Sequence, residues 1–251
     1  MNSYHQLRQY CIANSTREFN ARGKSVVRCE SCQLAIKACI CAWRPQTNIS
    51  CEFILLMHRE ELFKPTNTGR LIADIFPQQT RAFCWSRTQP DPNLLSILND
   101  PRRINLIVFP DESTEGSISP SVTVDESFVH SHSDKIITCI LLDGTWKQSG
   151  RMFHLSRWLD NIPCVSLPDV MTKSYAVRKS HLEHYLSTAE AAALCLDLIG
   201  DTQSANLLRD YFGIFNQHYL ATRGGYTPET TEIHQRLSAF MDASEILTTA
   251  K

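Results

Sequence analysis

Apolar positions along the chain follow two successive patterns. Through the first two thirds, short apolar runs alternate with polar stretches of helical period. Strands are predicted at 51–57, 81–85, 104–109, 136–142 and 163–167, and helices at roughly 66–76, 92–99 and 146–159. Strands that are apolar at consecutive positions, not alternate ones, are buried on both faces. The pattern therefore predicts an α/β fold, a mostly parallel sheet with helices on both faces. From Ser187 onward the pattern turns wholly helical. Ser187-Thr188-Ala189-Glu190 has the form of a capping box ahead of 191–199. Two more helices are predicted near 203–221 and 229–247, separated by Arg223-Gly224-Gly225-Tyr226-Thr227-Pro228. Residues 1–28 read as helical and polar, with Arg17, Arg22, Lys24 and Arg28 making that end basic. Residues 110–127, acidic and Ser-rich, read as a surface loop. No internal repeat is visible. The expected division is an N-terminal helix with a cysteine-rich segment over 1–50 and an α/β domain over 51–251.

Composition narrows the class. With 251 residues, 43% hydrophobic and 20% charged, the chain can bury a substantial core. No apolar run approaches the roughly 20 residues a bilayer span requires, and the first residues lack the apolar core of a signal peptide. The expectation is a cytoplasmic protein with no membrane partner and no obligate protein partner evident. A net charge of −1 excludes a polycation but leaves room for a local basic patch. Neither Gly-x-Gly-x-x-Gly nor a Walker loop occurs, and neither His-Glu-x-x-His nor Gly-x-Ser-x-Gly, so dinucleotide, NTP, metalloprotease and hydrolase chemistry find no support.

Ten cysteines in a reducing compartment are not expected to pair as disulfides. Cys11, Cys51, Cys84, Cys139, Cys164 and Cys195 are scattered and read as small core residues. Cys29-x2-Cys32-x6-Cys39-x-Cys41 is different, because four thiolates this close can surround a tetrahedral Zn²⁺, with the first pair on a tight knuckle. An iron–sulfur cluster is the alternative. With four protein ligands no coordination position is left open, so a zinc here would be structural.

The stretch 136–152 carries the other candidate site. A buried strand ends at Asp143-Gly144, and Thr145 with Gln148 forms a capping box that starts a helix at Trp146. Strand-to-helix junctions in parallel sheets bind ligands, and free N–H groups there favour anions. Asp143 is expected to be exposed to that strand-end cleft. Read locally, the same residues fit an Asp-Gly turn before a core Trp. His58–Arg70, Ile104–Phe109 running into Pro110-Asp111, and Tyr175-x-x-Arg178 likewise set polar groups beyond strands or at helix starts.

Taken together these segments resemble the DTW-domain family, the bacterial tRNA-uridine aminocarboxypropyltransferases. The matching pieces are the four-cysteine cluster, Lys64-Pro65-Thr66-Asn67-Thr68-Gly69-Arg70, Leu142-Asp143-Gly144-Thr145-Trp146, Tyr175-x-x-Arg178 and Leu186-Ser187-Thr188-x-Glu190-Ala191. They occur in the family's order, though the family often carries a proline after the second cysteine where this chain has Gln33-Leu34-Ala35. The resemblance implies a SPOUT-like fold with a C-terminal knot and S-adenosylmethionine as co-substrate. The 3-amino-3-carboxypropyl group would move to N3 of a tRNA uridine, usually position 47, giving acp3U and 5′-methylthioadenosine. It further implies Asp143 as general base and Thr145 and Trp146 beside it, with Trp146 either stacking on a base or packing in the core. By analogy with rRNA relatives, Thr68, Pro110, Leu167, Tyr175, Ser187 and Thr188 would line the cofactor pocket. Arg70, Lys147, Arg151, Arg157, Arg178 and Lys179 would meet RNA phosphates. An RNA methyltransferase and a non-catalytic zinc-containing RNA-binding module are the competing functions.

Overall fold

The computed structural model describes residues 1–16, 25–109, 120–165 and 186–249, with side chains as far as Ser244. At its centre is a six-stranded sheet ordered β2-β1-β5-β3-β6-β4, parallel in every pairing. The strands are β1 Glu52–Met57, β2 Thr80–Cys84, β3 Arg103–Val108, β4 Ser121–Val122, β5 Ile136–Asp143 and β6 Cys164–Val165. Helices among the described residues are α1 Ser3–Ala13, α2 Gly69–Ile75, α3 Pro92–Leu98, α4 Glu126–Ser131, α5 Trp146–Leu155, α6 Thr188–Leu198, α7 Thr202–Gly224 and α8 Glu232–Thr249.

Successive strand side chains point to opposite faces, and both faces are covered. Phe53, Leu55 and Met57 of β1, with Cys139 and Leu141 of β5, pack beneath α1, α2, α6 and α7. Ile54, Leu56, Ile140 and Leu142 pack on the other face, against Leu94 of α3 and Met152 and Phe153 of α5. Burying both faces explains why these strands are apolar at consecutive positions. All ten cysteines carry free thiols, and of the six scattered ones only Cys84 is less than fully buried.

Two expectations about the elements need correction. The N-terminal helix stops at Ala13 with Asn14 as its C-cap, instead of running toward residue 28. The region read as one surface loop over 110–127 contains β4, paired with β6 at the sheet edge, and the start of α4, capped by Asp125. The strand predicted over 163–167 is seen as β6, and its last two residues lie outside the described residues, as does the chain on to residue 185.

Chain order places the site. From β1 the chain steps to β2 on one side, and β3 lies on the other, with β5 between. The crevice at such a reversal, beyond the carboxyl ends of the strands, is where open parallel sheets bind ligands. Asp143, last residue of β5, is in register with Met57, last residue of β1.

Candidate functional site: a buried carboxylate at the strand ends

Asp143 is held by three segments far apart in sequence. Its backbone carbonyl accepts from the His58 N–H at 2.9 Å, extending the β1–β5 pairing by one residue. Asn67 Nδ2 donates to Oδ2 at 2.7 Å, and Thr188 Oγ1 donates to Oδ1 at 2.9 Å. Asn67 is itself pinned, because its Oδ1 accepts the Arg70 N–H at 3.1 Å at the start of α2. Gly69 allows the close approach: a Cβ there would lie 2.3 Å from Asp143 Oδ2. Thr68 joins the group by accepting the Ala189 N–H at 3.4 Å, which ties the start of α2 to the start of α6.

The carboxylate is therefore buried, only 3% exposed, and not open to the cleft as the turn-like sequence predicts. The reason is tertiary: the starts of α2 and α6 both close over the end of β5. Burial pushes its pKa up to about 6, against the lowering effect of the Asn67 and Thr188 hydrogen bonds; Glu61 adds a further upward push and Lys64 a downward one.

Beside it, both predicted capping boxes form. Thr145 accepts the Gln148 N–H at 3.4 Å, and the Gln148 side chain accepts the Thr145 N–H at 2.8 Å. Gln148 also donates to Glu60 at 2.9 Å, linking the α5 start to the loop after β1. Ser187 and Glu190 cap α6 in the same way. Trp146 is not a core residue. It is 42% exposed and stacks on Phe109 at 5.9 Å, and Phe109 in turn stacks on Phe153 at 4.5 Å.

Among the predicted phosphate contacts, Lys147, Arg151 and Arg157 are exposed. Lys147 and Arg151, four residues apart, share a face of α5. Arg70 does not belong with them. It is fully buried, donates to the Pro65 carbonyl at 3.1 Å, and lies over the Phe215 ring at 5.1 Å, so its charge serves the core beneath the site. Pro110, Leu167, Tyr175, Arg178 and Lys179 lie outside the described residues.

The four clustered cysteines converge, with all their Sγ atoms within 4.8 Å of one another and the Cys29–Cys41 and Cys32–Cys39 pairs each at 3.7 Å. A tetrahedral ion with Zn–S bonds of about 2.3 Å needs sulfurs about 3.8 Å apart, so the cage fits one zinc. A multi-iron cluster would spread its thiolates wider, since several irons and bridging sulfides must fit between them. The knuckle turns through Gln33 at φ 59°, in the left-handed region. The segment is anchored to α7 by Ala35 N–H donating to Thr222 Oγ1 at 3.1 Å.

Sequence reading names Asp143, Thr145 and Trp146 as candidates and the four cysteines as a metal cage, and the structure adds Asn67 and Gly69 as neighbours of the carboxylate. Their only local signal is the Asn-Thr-Gly helix start, which says nothing of a residue 76 positions away.

A parallel α/β sheet, a buried strand-end carboxylate and a four-thiolate cage that could hold a metal ion define the class: a metal-ready α/β protein. The chain belongs to the DTW-domain family, whose model matches residues 26–220. It is 27% identical over 178 residues to tRNA-uridine aminocarboxypropyltransferase 2 of Drosophila melanogaster, covering 68% of this chain and 66% of that protein. The proteins of the same name from Macaca fascicularis and Mus musculus are each 26% identical over 179 residues, covering 68% of this chain and 56% of theirs. The matched region thus spans a little over half to about two thirds of the length of these curated relatives. No solved structure matches the chain at a significant level. No helix among the described residues is long and apolar enough to cross a membrane.

Proposed function

We propose that the protein transfers the 3-amino-3-carboxypropyl group of S-adenosylmethionine to N3 of a tRNA uridine, forming acp3U and releasing 5′-methylthioadenosine. The observation that carries this reading is the convergence of Asn67, Asp143 and Thr188, each in a motif shared with the DTW family, on one buried carboxylate. Uridine N3 holds a proton at neutral pH and must lose it to attack the methionine Cγ. A carboxylate lifted toward 6 by burial is a stronger base than an ordinary Asp and is ionised at neutral pH. The donor's sulfonium already activates the leaving group, so the remaining task is alignment of N3 with Cγ.

In this reading the donor lies in a pocket lined by Thr68, Pro110, Leu167, Tyr175, Ser187 and Thr188, and the exposed Trp146 ring offers a stacking face to a base. Lys147, Arg151 and Arg178 meet tRNA phosphates. The cysteine cage holds a structural zinc that fixes residues 1–50 against the transferase body over 51–251. The parallel sheet is the SPOUT-related one, with a C-terminal knot, and the protein works in the cytoplasm.

Incubating the protein with tRNA and labelled S-adenosylmethionine, then analysing nucleosides and small molecules by mass spectrometry, tests the reading. Acp3U with methylthioadenosine is the expected outcome. Methyluridine with S-adenosylhomocysteine would establish methyl transfer instead, and tRNA binding with no product would leave a binding module.

A further inference from the structure

A base must reach the proton it removes, and Asp143 is closed off. It is 3% exposed, with Asn67 on one oxygen and Thr188 on the other. The two partners differ in what they permit. The Asn67 amide cannot turn over, because its Oδ1 accepts the Arg70 N–H at 3.1 Å, and a flipped amide would set N–H against N–H. Its Nδ2 therefore always faces Asp143, and Oδ2 stays an acceptor. Gly69 leaves space for this same oxygen, since a Cβ there would come within 2.3 Å of Oδ2. A proton arriving on this carboxyl goes to Oδ1, the oxygen that faces Thr188 at 2.9 Å.

Thr188 is the first residue of α6 and is partly exposed, unlike the carboxylate behind it. Its hydroxyl donates one hydrogen to Oδ1 and keeps lone pairs for a donor on the open side. We propose that Thr188 is a catalytic residue, a hydroxyl relay that takes the uridine N3 proton while passing its own proton to Asp143 Oδ1. This rests on the reading that the chain alkylates a uridine N3 with a sulfonium donor.

The step balances. The N3–H bond breaks and its electron pair forms the N3–Cγ bond. The Cγ–S bond breaks, and its pair returns the sulfonium to a neutral thioether. The N3 proton joins Thr188 Oγ as the original hydroxyl proton moves to Asp143 Oδ1, from which it returns to water after product leaves. The same hydrogen bond then serves two roles, locking α6 to β5 and connecting a buried base to the cleft.

Thr188→Val removes the hydroxyl at nearly constant shape, and Thr188→Ser keeps it. The relay predicts a kcat for T188V lower by about 10²-fold, the scale of a lost general base, with the donor KM within a few-fold of wild type and T188S close to wild type. The wild-type and T188S pH–rate profiles should share an ascending limb near pH 6, whereas T188V should lose it and follow the uridine's own ionisation at alkaline pH. A tRNA transcribed with 5-fluorouridine, whose N3 is more acidic, should restore T188V more than it accelerates wild type. If T188V keeps both the rate and the acid limb, Thr188 is a structural lock and the relay is wrong. Equal loss in T188S and T188V has the same meaning. Wild-type protein that releases no methylthioadenosine overturns the functional reading, and the relay falls with it.

Discussion

Burial raises the Asp143 carboxyl to about 6, so its folded state binds a proton that an unfolded Asp has already released. A raised carboxyl pKa withdraws stability as pH climbs from the unfolded value through 6, by about 3 kcal/mol for a shift of about two units. Asp143→Asn removes that cost. Its amide can still accept from Asn67 and donate to Thr188, so the variant should melt at or above the wild-type temperature at pH 7.5 while turnover drops by about 10²-fold. Calorimetry beside a product assay checks both, and a variant that unfolds early would show that the carboxylate is needed for the fold. Gly69→Ala tests the same pocket from its other wall. The added methyl must displace one oxygen of a carboxylate that is held by a hydrogen bond on each oxygen, so both melting temperature and activity should fall, in contrast to Asp143→Asn. Residues of this kind are only partly legible in sequence. Asp143 stands out because it ends an apolar run, but its burial depends on the starts of α2 and α6 folding over it. Arg70 misleads for the same reason: a cation in a polar motif is normally at the surface, and only the Phe215 ring and the Pro65 carbonyl make this one a core residue.

Elements were legible where local physics sets them. β1, β3 and β5 show as mainly apolar runs because helices cover both faces, and the two capping boxes show because donor and acceptor are three residues apart. β4 is two residues at an edge and α4 is a short helix, so neither has enough periodicity to read. The α5 cap gives a graded test: Thr145→Ala should cost about 1 kcal/mol of stability in denaturant titration, with a smaller loss of rate than Asp143→Asn. On the outer face of α5, replacing Lys147 and Arg151 by Ala should lower the slope of log affinity for tRNA against log salt by about 1 to 2, as lost phosphate contacts release fewer counterions. An unchanged slope would remove α5 from the RNA surface. The cysteine cage should carry one zinc and little iron by elemental analysis, and Cys32→Ser should lower soluble yield far more than Cys139→Ser, whose buried thiol lies outside the cage.

At the scale of the molecule, the 23-residue α7 joins the parts, packing on α6 and α2 beneath the site, on the cysteine-bearing segment, and on α8. Two buried histidines close that junction. His218 Nδ1 lies 3.0 Å from the Ala38 carbonyl, so that nitrogen carries the hydrogen and Nε2 is an acceptor. His234 Nδ1 accepts the Thr231 N–H at 3.0 Å, so its Nε2 carries the hydrogen and donates to His218 Nε2 at 2.8 Å. The Trp43 ring meets both imidazoles edge-on. Every ring nitrogen is thus committed with both rings neutral, and a further proton would set N–H against N–H. Burial lowers the pKa of both, most directly, while the Ala38 carbonyl opposes this at His218 and the neighbouring ring adds to it at His234. The sign follows: depressed histidines contribute stability that is present above the unfolded value of about 6.5 and is lost as pH falls through the folded value. The urea midpoint should therefore drop between pH 7.5 and 5, while His218→Leu combined with His234→Leu should flatten that dependence. Asp143 acts in the opposite direction between its unfolded value and 6, so the measurement is cleanest in the Asp143→Asn background. A slope unchanged by the double replacement would assign the acid sensitivity to groups elsewhere in the molecule.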